Sequence, residues 1–162
     1  MRHILTSVVL MVFLFPSLAL GEEVTLGDLV KTDGLYYKKF TDVPFTGDIT
    51  DKTTQGTFRN GGKEGPWVEY QDNGQLSYEG TYKDGKEDGP WVLYWYNGQL
   101  KFKGNYKDGK SDGPWVRYYP NGQLSYKGTY KDGNQDGPWV YYLPDGQLRE
   151  KGTYKDGKKV GP

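Results

Sequence analysis

The chain has 162 residues, enough for one ordinary domain, and 24 of them are glycine while only 35% are hydrophobic. This composition excludes a large aliphatic core, and because 16% of the residues are aromatic, with 15 tyrosines and 5 tryptophans, any core must consist mainly of rings. Basic and acidic residues balance at 21 each, which removes the simplest support for binding to nucleic acid or an anionic membrane.

The amino terminus has the pattern of a secretory signal peptide. Arg2 precedes an apolar run over residues 4–20, and the small-residue sequence Ala19-Leu20-Gly21 ends it. The run is short for a membrane span, although a retained single-span anchor is the alternative interpretation. We expect residues 1–21 to be removed, so that residues 22–162 are exported to the periplasm, the cell surface or the medium.

Two segments precede the regular part of the chain. Residues 22–42 lack the motif that recurs later, and they are predicted to form an amino-terminal cap in which Leu35-Tyr36-Tyr37 is a short strand. Residues 43–64 contain the sequences Phe45-Thr46-Gly47 and Gly56-Thr57-Phe58. This second segment is interpreted as a degenerate first repeat.

From residue 65 onward the sequence repeats with a period of 24 residues. Each copy begins with Gly-Pro-Trp-Val and continues with a tyrosine, an Asn-Gly or Asp-Gly pair, Gln-Leu, a glycine, a tyrosine and Lys-Asp-Gly. A fifth copy begins at Gly161-Pro162, just before its expected tryptophan, so a truncated reading frame is one interpretation of this end. The four copies are residues 65–88, 89–112, 113–136 and 137–160.

Each copy is predicted to form a β-hairpin. Asn73-Gly74 and its equivalents tolerate positive φ at both central positions of a type I′ turn, whose twist matches that of paired strands. A two-residue loop at this point places Asp72 opposite Gln75. The segment from Lys83 to Asp88 is expected to be a polar turn between copies.

The predicted register places Trp67 opposite Gly80. A large ring laid over a strand glycine recovers packing that the missing side chain cannot supply, so we expect Trp67 to cover Gly80. Strand alternation puts further apolar residues on the same face. These residues are Leu76, Tyr78 and Tyr82.

The predicted fold is therefore all-β, an open and elongated antiparallel sheet or solenoid of stacked hairpins with a period of 24 residues. One hairpin of this size buries too little apolar surface to offset the ordering of its backbone. Stacked copies share contacts and ladder hydrogen bonds with their neighbours, as in other repeat proteins.

The repeated pattern, with its Gly-Pro-Trp-Val start and Asn-Gly-Gln-Leu centre, resembles the bacterial variant of the MORN repeat. The resemblance covers residues 65–162 well and residues 35–64 loosely. It implies hairpin arrays that serve as scaffolds or as protein-binding and lipid-associated modules. Bacterial members are often labelled as antitoxins of toxin–antitoxin systems, although export argues against neutralisation of a toxin inside the cell.

Catalytic and metal-binding roles have little support in the sequence. The chain has no cysteine, and its one histidine, His3, lies in the predicted signal peptide, so residues 22–162 lack the usual nucleophile–base pairs and imidazole ligands. The recurring aspartates lie beside glycine and lysine, and the Asp-Gly-Lys loops lack the alternating acidic ligands of an EF-hand. We expect no enzymatic activity, no cofactor and no metal ion.

Regularly spaced aromatic residues are the candidate binding surface. Such rings suit stacking on sugars, cations or partner side chains, although in a thin sheet they can equally be the core. Positions two and four residues after each tryptophan vary between copies, which indicates either simple exposure or a surface specific to one partner. The candidate partner-binding residues are Tyr70, Tyr94, Trp95, Tyr118, Tyr119, Tyr141 and Tyr142.

The sequence favours a non-catalytic, exported scaffold with a protein partner. The alternative is a carbohydrate- or choline-binding cell-wall module, because aromatic hairpin arrays of that kind also carry Gly-Trp and Tyr-Tyr elements. A cell-wall glycan or a lipid surface is then the partner, and nucleic acid is not expected. The family resemblance adds a third hypothesis, an antitoxin-like partner of a toxin.

The charge distribution suggests one further interaction. Residues 22–88 carry 8 basic and 14 acidic groups, a net charge of −6, whereas residues 89–162 carry 12 basic and 7 acidic groups, a net charge of +5. Opposite charges at the two ends of a repeat array favour head-to-tail self-association, although unselected variation of surface charge is the alternative explanation.

Overall fold

The structure, a computed structural model, describes residues 24–162. The predicted signal peptide, residues 1–21, lies outside the described residues. Within residues 24–162 the chain forms strands and one short 3₁₀ turn, Leu26–Asp28, and contains no α-helix. No helix in this part of the chain has the length and apolar character needed to cross a membrane. The predicted all-β fold class is confirmed.

The strands form two antiparallel sheets. The smaller sheet contains β1 (Leu29–Thr32) and β2 (Leu35–Lys38). The larger sheet has 14 strands. They are β3 (Gly47–Thr50), β4 (Thr54–Arg59), β5 (Gly62–Tyr70), β6 (Leu76–Lys83), β7 (Lys86–Glu87), β8 (Gly89–Tyr94), β9 (Leu100–Lys107), β10 (Lys110–Ser111), β11 (Gly113–Tyr118), β12 (Leu124–Lys131), β13 (Asn134–Gln135), β14 (Gly137–Tyr142), β15 (Leu148–Lys155) and β16 (Lys158–Gly161).

Strand order in the large sheet follows chain order, so every connection is local. The short strands β7, β10 and β13 pair with β6, β9 and β12, next to the long strands that follow them. The sheet does not close, because β3 and β16 lie at its two ends. This arrangement confirms the predicted open array of stacked hairpins, with equivalent strands 24 residues apart.

The predicted pairing of Trp67 with Gly80 is present. Both residues lie in the middle of long strands, where backbone pairing on both sides holds the register. The same pairing recurs in the other copies. It joins Trp91 to Gly104, Trp115 to Gly128, and Trp139 to Gly152.

The hairpin loop at Asn73-Gly74 is not the predicted type I′ turn. Gly74 has a φ of 81°, but Asn73 is not among the residues with positive φ. The Gly74 N–H donates to the Gln71 carbonyl oxygen at 2.8 Å, and the Gln71 N–H donates to the Gln75 carbonyl oxygen at 2.7 Å. Gln71, rather than Asp72, therefore faces Gln75 across a three-residue loop.

A bulge in the second strand cancels the extra loop residue. Tyr70 pairs with Leu76, but Glu69 pairs with Tyr78, so Ser77 has no partner in the ladder. Beyond Ser77 the strands have the register that a two-residue loop would give. Leu76 consequently shares a face with Tyr70 and not with Tyr78, which corrects its predicted position.

The type I′ turns lie between the copies. Asp84 and Gly85 have φ values of 49° and 77°, and Lys83 pairs directly with Lys86. Positive φ at both central residues is what this turn requires. Five further pairs have the same backbone, namely Asp33-Gly34, Asn60-Gly61, Asp108-Gly109, Asp132-Gly133 and Asp156-Gly157.

Four strand glycines are each covered by a ring from the following copy, whereas the last one, Gly152, lies against the Lys159 side chain. A Cβ built on Gly80 would overlap the indole of Trp91, and a Cβ on Gly56 would overlap that of Trp67. The expectation that Trp67 covers its own partner, Gly80, is therefore wrong. The same relation places Trp115 over Gly104 and Trp139 over Gly128.

Tryptophan and tyrosine alternate along one face of the sheet and form its core, with neighbouring rings edge to face. We call this side the aromatic face, defined by Trp67, Trp91, Trp115 and Trp139, which are all buried. Centroid separations along the row run from 4.9 to 6.4 Å. At the amino-terminal end, the ring centroid of Phe58 lies 5.2 Å from that of Trp67 and 4.8 Å from that of Tyr36 in the small sheet. The core is thus aromatic, as the composition indicates.

Candidate functional site

The opposite side of the sheet is the more open one. We call it the valine face, because each copy places there the valine that follows its tryptophan. Side chains alternate between the two faces of a strand, so a valine next to a buried tryptophan must point away from the aromatic core. The four valines are Val68, Val92, Val116 and Val140.

Four of the seven candidate residues lie on the valine face. Each is two residues after a valine and is paired with a leucine across its hairpin, as Tyr70 is with Leu76. All four side chains are half-buried. Burial raises the pKa of the Tyr94 hydroxyl, and the nearby carboxylate of Glu79 raises it further. These four residues are Tyr70, Tyr94, Tyr118 and Tyr142.

Tyr141 belongs to the aromatic face. Its ring centroid lies 5.9 Å from that of Trp139 and 5.9 Å from that of Tyr126. Its hydroxyl oxygen accepts a hydrogen bond from Gln135 Nε2 at 2.6 Å, and burial raises its pKa. Tyr141 and Tyr142 therefore point to opposite sides of the sheet.

Trp95 and Tyr119 connect neighbouring copies. The Trp95 indole N–H donates to the Tyr118 carbonyl oxygen at 3.1 Å. The Tyr119 hydroxyl donates to the Tyr142 carbonyl oxygen at 2.9 Å. In the preceding copy Gln71 Nε2 donates to the Trp95 carbonyl oxygen at 3.1 Å. Three different side chains at equivalent positions thus donate hydrogen bonds to the backbone of the following copy. The variation at this position therefore needs no binding partner to explain it.

The other variable position, two residues after each tryptophan, lies on the aromatic face. Glu69 accepts a hydrogen bond from the Tyr78 hydroxyl at 2.6 Å. The Arg117 guanidinium lies 6.0 Å from the centroid of the Tyr126 ring. The structure therefore divides the seven candidate residues between two faces and does not bring them together in one patch.

A groove of about 540 Å³ lies on the valine face, where the second, third and fourth copies meet. Its apolar floor is formed by Pro114, Val116, Pro138 and Val140. Gly104 and Gly128 also line the groove, and two lysines flank the valines. These lysines are Lys103 and Lys127.

The lysines belong to a row that crosses the four regular copies, from β5 to β15, and alternates valine with a charged residue. Three of the four charged residues are exposed lysines, whereas the fourth, Glu79, has only 7% of its surface exposed. Burial raises the pKa of Glu79, and the positive charge of Lys103 opposes this rise. In order across the sheet, the row is Val68, Glu79, Val92, Lys103, Val116, Lys127, Val140 and Lys151.

Sequence reasoning did not select these charged positions as candidate site residues. Each one immediately precedes the strand glycine of its copy, as Lys103 precedes Gly104, so the period of 24 residues was a sufficient signal. The pairing of Lys103 with both Val92 and Val116 follows only from strand neighbours on both sides. The groove presents apolar surface next to positive charge, which suits a partner with apolar and acidic groups. Between residues 24 and 162, no cluster of carboxylates is arranged to hold a metal ion.

Comparisons with known proteins agree with the repeat pattern. A family model described as MORN repeat variant matches residues 63–84, 87–108, 111–132 and 135–156. No curated protein matches the chain.

Two solved structures show limited similarity. One is a crystal structure of accessory secretory protein 1,2 and 3 in Streptococcus pneumoniae, with 16% identity, a TM-score of 0.34, and coverage of 74% of this chain and 21% of that chain. The other is the GtfA/B complex bound to UDP and GlcNAc, with 14% identity, a TM-score of 0.28, and coverage of 88% and 29%. The chain thus spans less than a third of either solved chain.

Proposed function

Because the chain belongs to the MORN repeat variant family, we propose that it is a non-catalytic, exported scaffold that binds a protein partner on its valine face. One observation carries this proposal, the groove of about 540 Å³ with an apolar floor and flanking lysines. The groove lies on strands that are paired on both sides, so its shape exists before a partner arrives. A preformed surface of this kind lowers the entropic cost of binding.

The two faces have different roles in this proposal. The aromatic face holds the copies together, because its tryptophans are buried against the strand glycines. The valine face leaves apolar side chains and lysines accessible beside each other, the mixture expected at the centre and rim of a protein interface.

Binding of cell-wall carbohydrate or choline is the second candidate function. Its support is Tyr96, whose side chain is 70% exposed in a hairpin loop and is open to stacking. Most other rings are packed against neighbours, which favours the protein partner.

Export is proposed from the pattern of residues 1–21. An antitoxin-like role, implied by the resemblance to bacterial members, requires a toxin in the same compartment as the exported chain. A partner found in the cell envelope is compatible with both the scaffold and this more specific role.

Affinity capture from an envelope extract tests the scaffold proposal. We compare the unaltered protein with Val116→Asp, which places a charge in the groove floor, and with Tyr96→Ser, which removes the exposed ring. Each variant is first checked for an unchanged unfolding midpoint. We expect a protein that is retained by the unaltered chain and by Tyr96→Ser but lost with Val116→Asp.

Two results would overturn the proposal. Retention of no protein would exclude the scaffold role under the conditions of capture. In a second assay, the three proteins are tested for binding to purified cell wall. If the unaltered chain and Val116→Asp bind and Tyr96→Ser does not, the carbohydrate-binding alternative is established in its place.

A further inference from the structure

We propose that the groove on the valine face binds an extended acidic segment of the partner protein, which crosses the strands and carries a carboxylate at every third residue. This inference rests on the proposed scaffold function and names the chemistry that the partner must have. It is argued from the charge, spacing and pairing of the residues in the groove.

The charge of the groove selects an anionic partner. Lys103 lies between Val92 and Val116, and Lys127 lies between Val116 and Val140. Both lysines are exposed. The ion pairs formed within residues 24–162 involve other lysines, Lys155 and Lys159, with Asp136 and Glu150. The ammonium group of Lys127 is therefore available to a carboxylate of a partner, whereas that of Lys103 also interacts with the Glu79 carboxylate.

The spacing of the lysines selects an extended partner. Lys103 and Lys127 are two strands apart, since only Val116 lies between them in the row. Neighbouring strands are separated by about 4.8 Å, so the two lysines are about 9.6 Å apart at the backbone. Three residues of a polyproline II helix advance by about 9 Å and complete one turn, so every third side chain points the same way, whereas the side chains of a β-strand alternate between two faces. A carboxylate at every third residue thus matches successive lysines, and Lys151 continues the row by one further step of the same length.

The pairing of the strands determines how the segment lies. The strands that form the groove floor have a neighbour on each side, so their backbone groups are already used within the sheet. The partner therefore cannot add to this surface as a further strand, and it is held by side-chain contacts. Its residues between the carboxylates lie against Pro114, Val116, Pro138 and Val140. A polyproline II segment suits this task because its own backbone forms no internal hydrogen bonds.

Glu79 limits where the segment binds. It occupies the lysine position of the first regular copy, and its carboxylate is buried. Negative charge there repels an acidic partner, so the segment is confined to the copies that carry Lys103, Lys127 and Lys151.

Two synthetic peptides of identical composition provide the test. The first is a fluorescein-labelled repeat of Glu-Val-Pro, four units long, and the second has its four glutamates in succession followed by the alternating valines and prolines. Binding is measured by anisotropy with residues 22–162 at 0.15 M salt. We expect the first peptide to bind about tenfold more tightly than the second, because only its carboxylates meet the lysines one by one.

Matched charge-reversal variants locate the binding site. Lys103→Glu combined with Lys127→Glu is expected to weaken binding of the spaced peptide by tenfold or more, since two attractions become repulsions. Lys39→Glu combined with Lys52→Glu changes the net charge equally at exposed positions in the amino-terminal part of the chain. We expect this control to bind within twofold of the unaltered protein. If the first pair of changes lowers the unfolding midpoint, Lys103→Gln with Lys127→Gln replaces it.

Each contrary result overturns the inference. Equal binding of both peptides would show a general attraction to polyanions. If both charge-reversal proteins lost the same affinity for the spaced peptide, the effect would be due to net charge and not to the groove. Binding to vesicles of anionic phospholipid that depends on Lys103 and Lys127, without peptide binding, would identify a membrane surface. If neither peptide binds but capture of the envelope protein is still lost with Val116→Asp, the inference is wrong and the scaffold function stands. If the peptides do not bind and no protein is captured, the scaffold function is wrong as well.

Discussion

The indole ring of Trp115 occupies the space where a Cβ of Gly104 would be, although the two residues belong to different copies of the repeat. Within its own copy Trp115 is paired with Gly128, whose surface is covered in turn by Trp139. Gly80, Gly104 and Gly128 therefore each have one tryptophan beside them and another above them. The missing side chain of the glycine makes room for the tryptophan ring of the following copy, and this contact packs successive copies together.

Gly104→Ala tests this joint. The added methyl group would overlap the Trp115 ring, which is buried and has little room to move, so we expect a loss of about 1 to 3 kcal/mol in the free energy of unfolding. Urea denaturation followed by tryptophan fluorescence measures it. Gly152→Ala is the matched control, because its Cβ would meet only the flexible side chain of Lys159. Equal losses in both variants would contradict the proposed role of the tryptophan.

Asp108→Val tests the turns between copies. Asp108 has a φ of 50°, a conformation that a β-branched residue adopts only with strain, and we expect destabilisation by about 1 to 3 kcal/mol. Asp72→Val places the same side chain in a hairpin loop at an exposed residue that is not among those with positive φ. Its thermal midpoint should stay close to that of the unaltered protein. A larger effect at residue 72 would mean that the two kinds of turn had been assigned the wrong way round.

Tyr119→Phe separates structure from binding at one of the candidate residues. The change removes the hydrogen bond to the Tyr142 carbonyl oxygen and should cost about 1 kcal/mol in unfolding free energy. We expect no change in capture of the partner. Tyr118→Phe is the control, since its hydroxyl donates no hydrogen bond among residues 24–162, and it should leave stability unaltered. A stable Tyr119→Phe protein that loses its partner would return Tyr119 to the binding surface.

Stability at alkaline pH should fall because of the half-buried tyrosines. Burial raises the pKa of Tyr130 to about 12 from its ordinary value of 10.0. Between these values the folded protein keeps a proton that the unfolded chain releases, so the free energy of unfolding decreases as pH rises from about 10 to about 12. Tyr130→Phe should reduce that slope by at most about 1.4 kcal/mol per pH unit. Urea titrations at pH 9 to 12 measure it, and an unchanged slope in the variant would refute the assignment.

The register of the hairpins could be predicted from the sequence because two irregularities compensate each other. Counting outward from a two-residue loop placed Trp67 opposite Gly80, even though the loop was assigned one residue too few. The additional loop residue and the unpaired Ser77 cancel, so the error did not extend into the strands. Only Leu76, which lies between the two irregularities, was placed on the wrong face.

The turn types could not be read from dipeptides alone. Asn73-Gly74 and Asp84-Gly85 both match the type I′ signature, but only the second pair has positive φ at both residues. At the first pair, the Asn73 side-chain oxygen accepts a hydrogen bond from the Gln75 N–H at 3.0 Å, which stabilises a different loop. Such a local interaction is decided by geometry that the pair of residue names does not contain.

The candidate site was harder to predict than the fold. A strand in this sheet has two neighbours, and the sequence pattern described only the one within its own hairpin. The second neighbour places Trp91 over Gly80 and brings Lys103 next to Val116. Tyrosines at regular intervals are visible in the sequence, whereas the groove is formed by valines, prolines and lysines whose proximity depends on the pairing of strands from different copies.

The contact between each tryptophan and the glycine that it covers also bears on how such a chain can change in length. Trp115 follows Gly104 by 11 residues, and Trp91 follows Gly80 by the same interval. In-frame loss of residues 89–112 would set Trp115 at that interval from Gly80, and a duplication would recreate the contact at a new junction. Genes of this kind can therefore gain or lose whole units without a new joint having to evolve. What would change is the number of lysines in the row on the valine face, and with it the length of the acidic segment that the proposed binding mode accommodates.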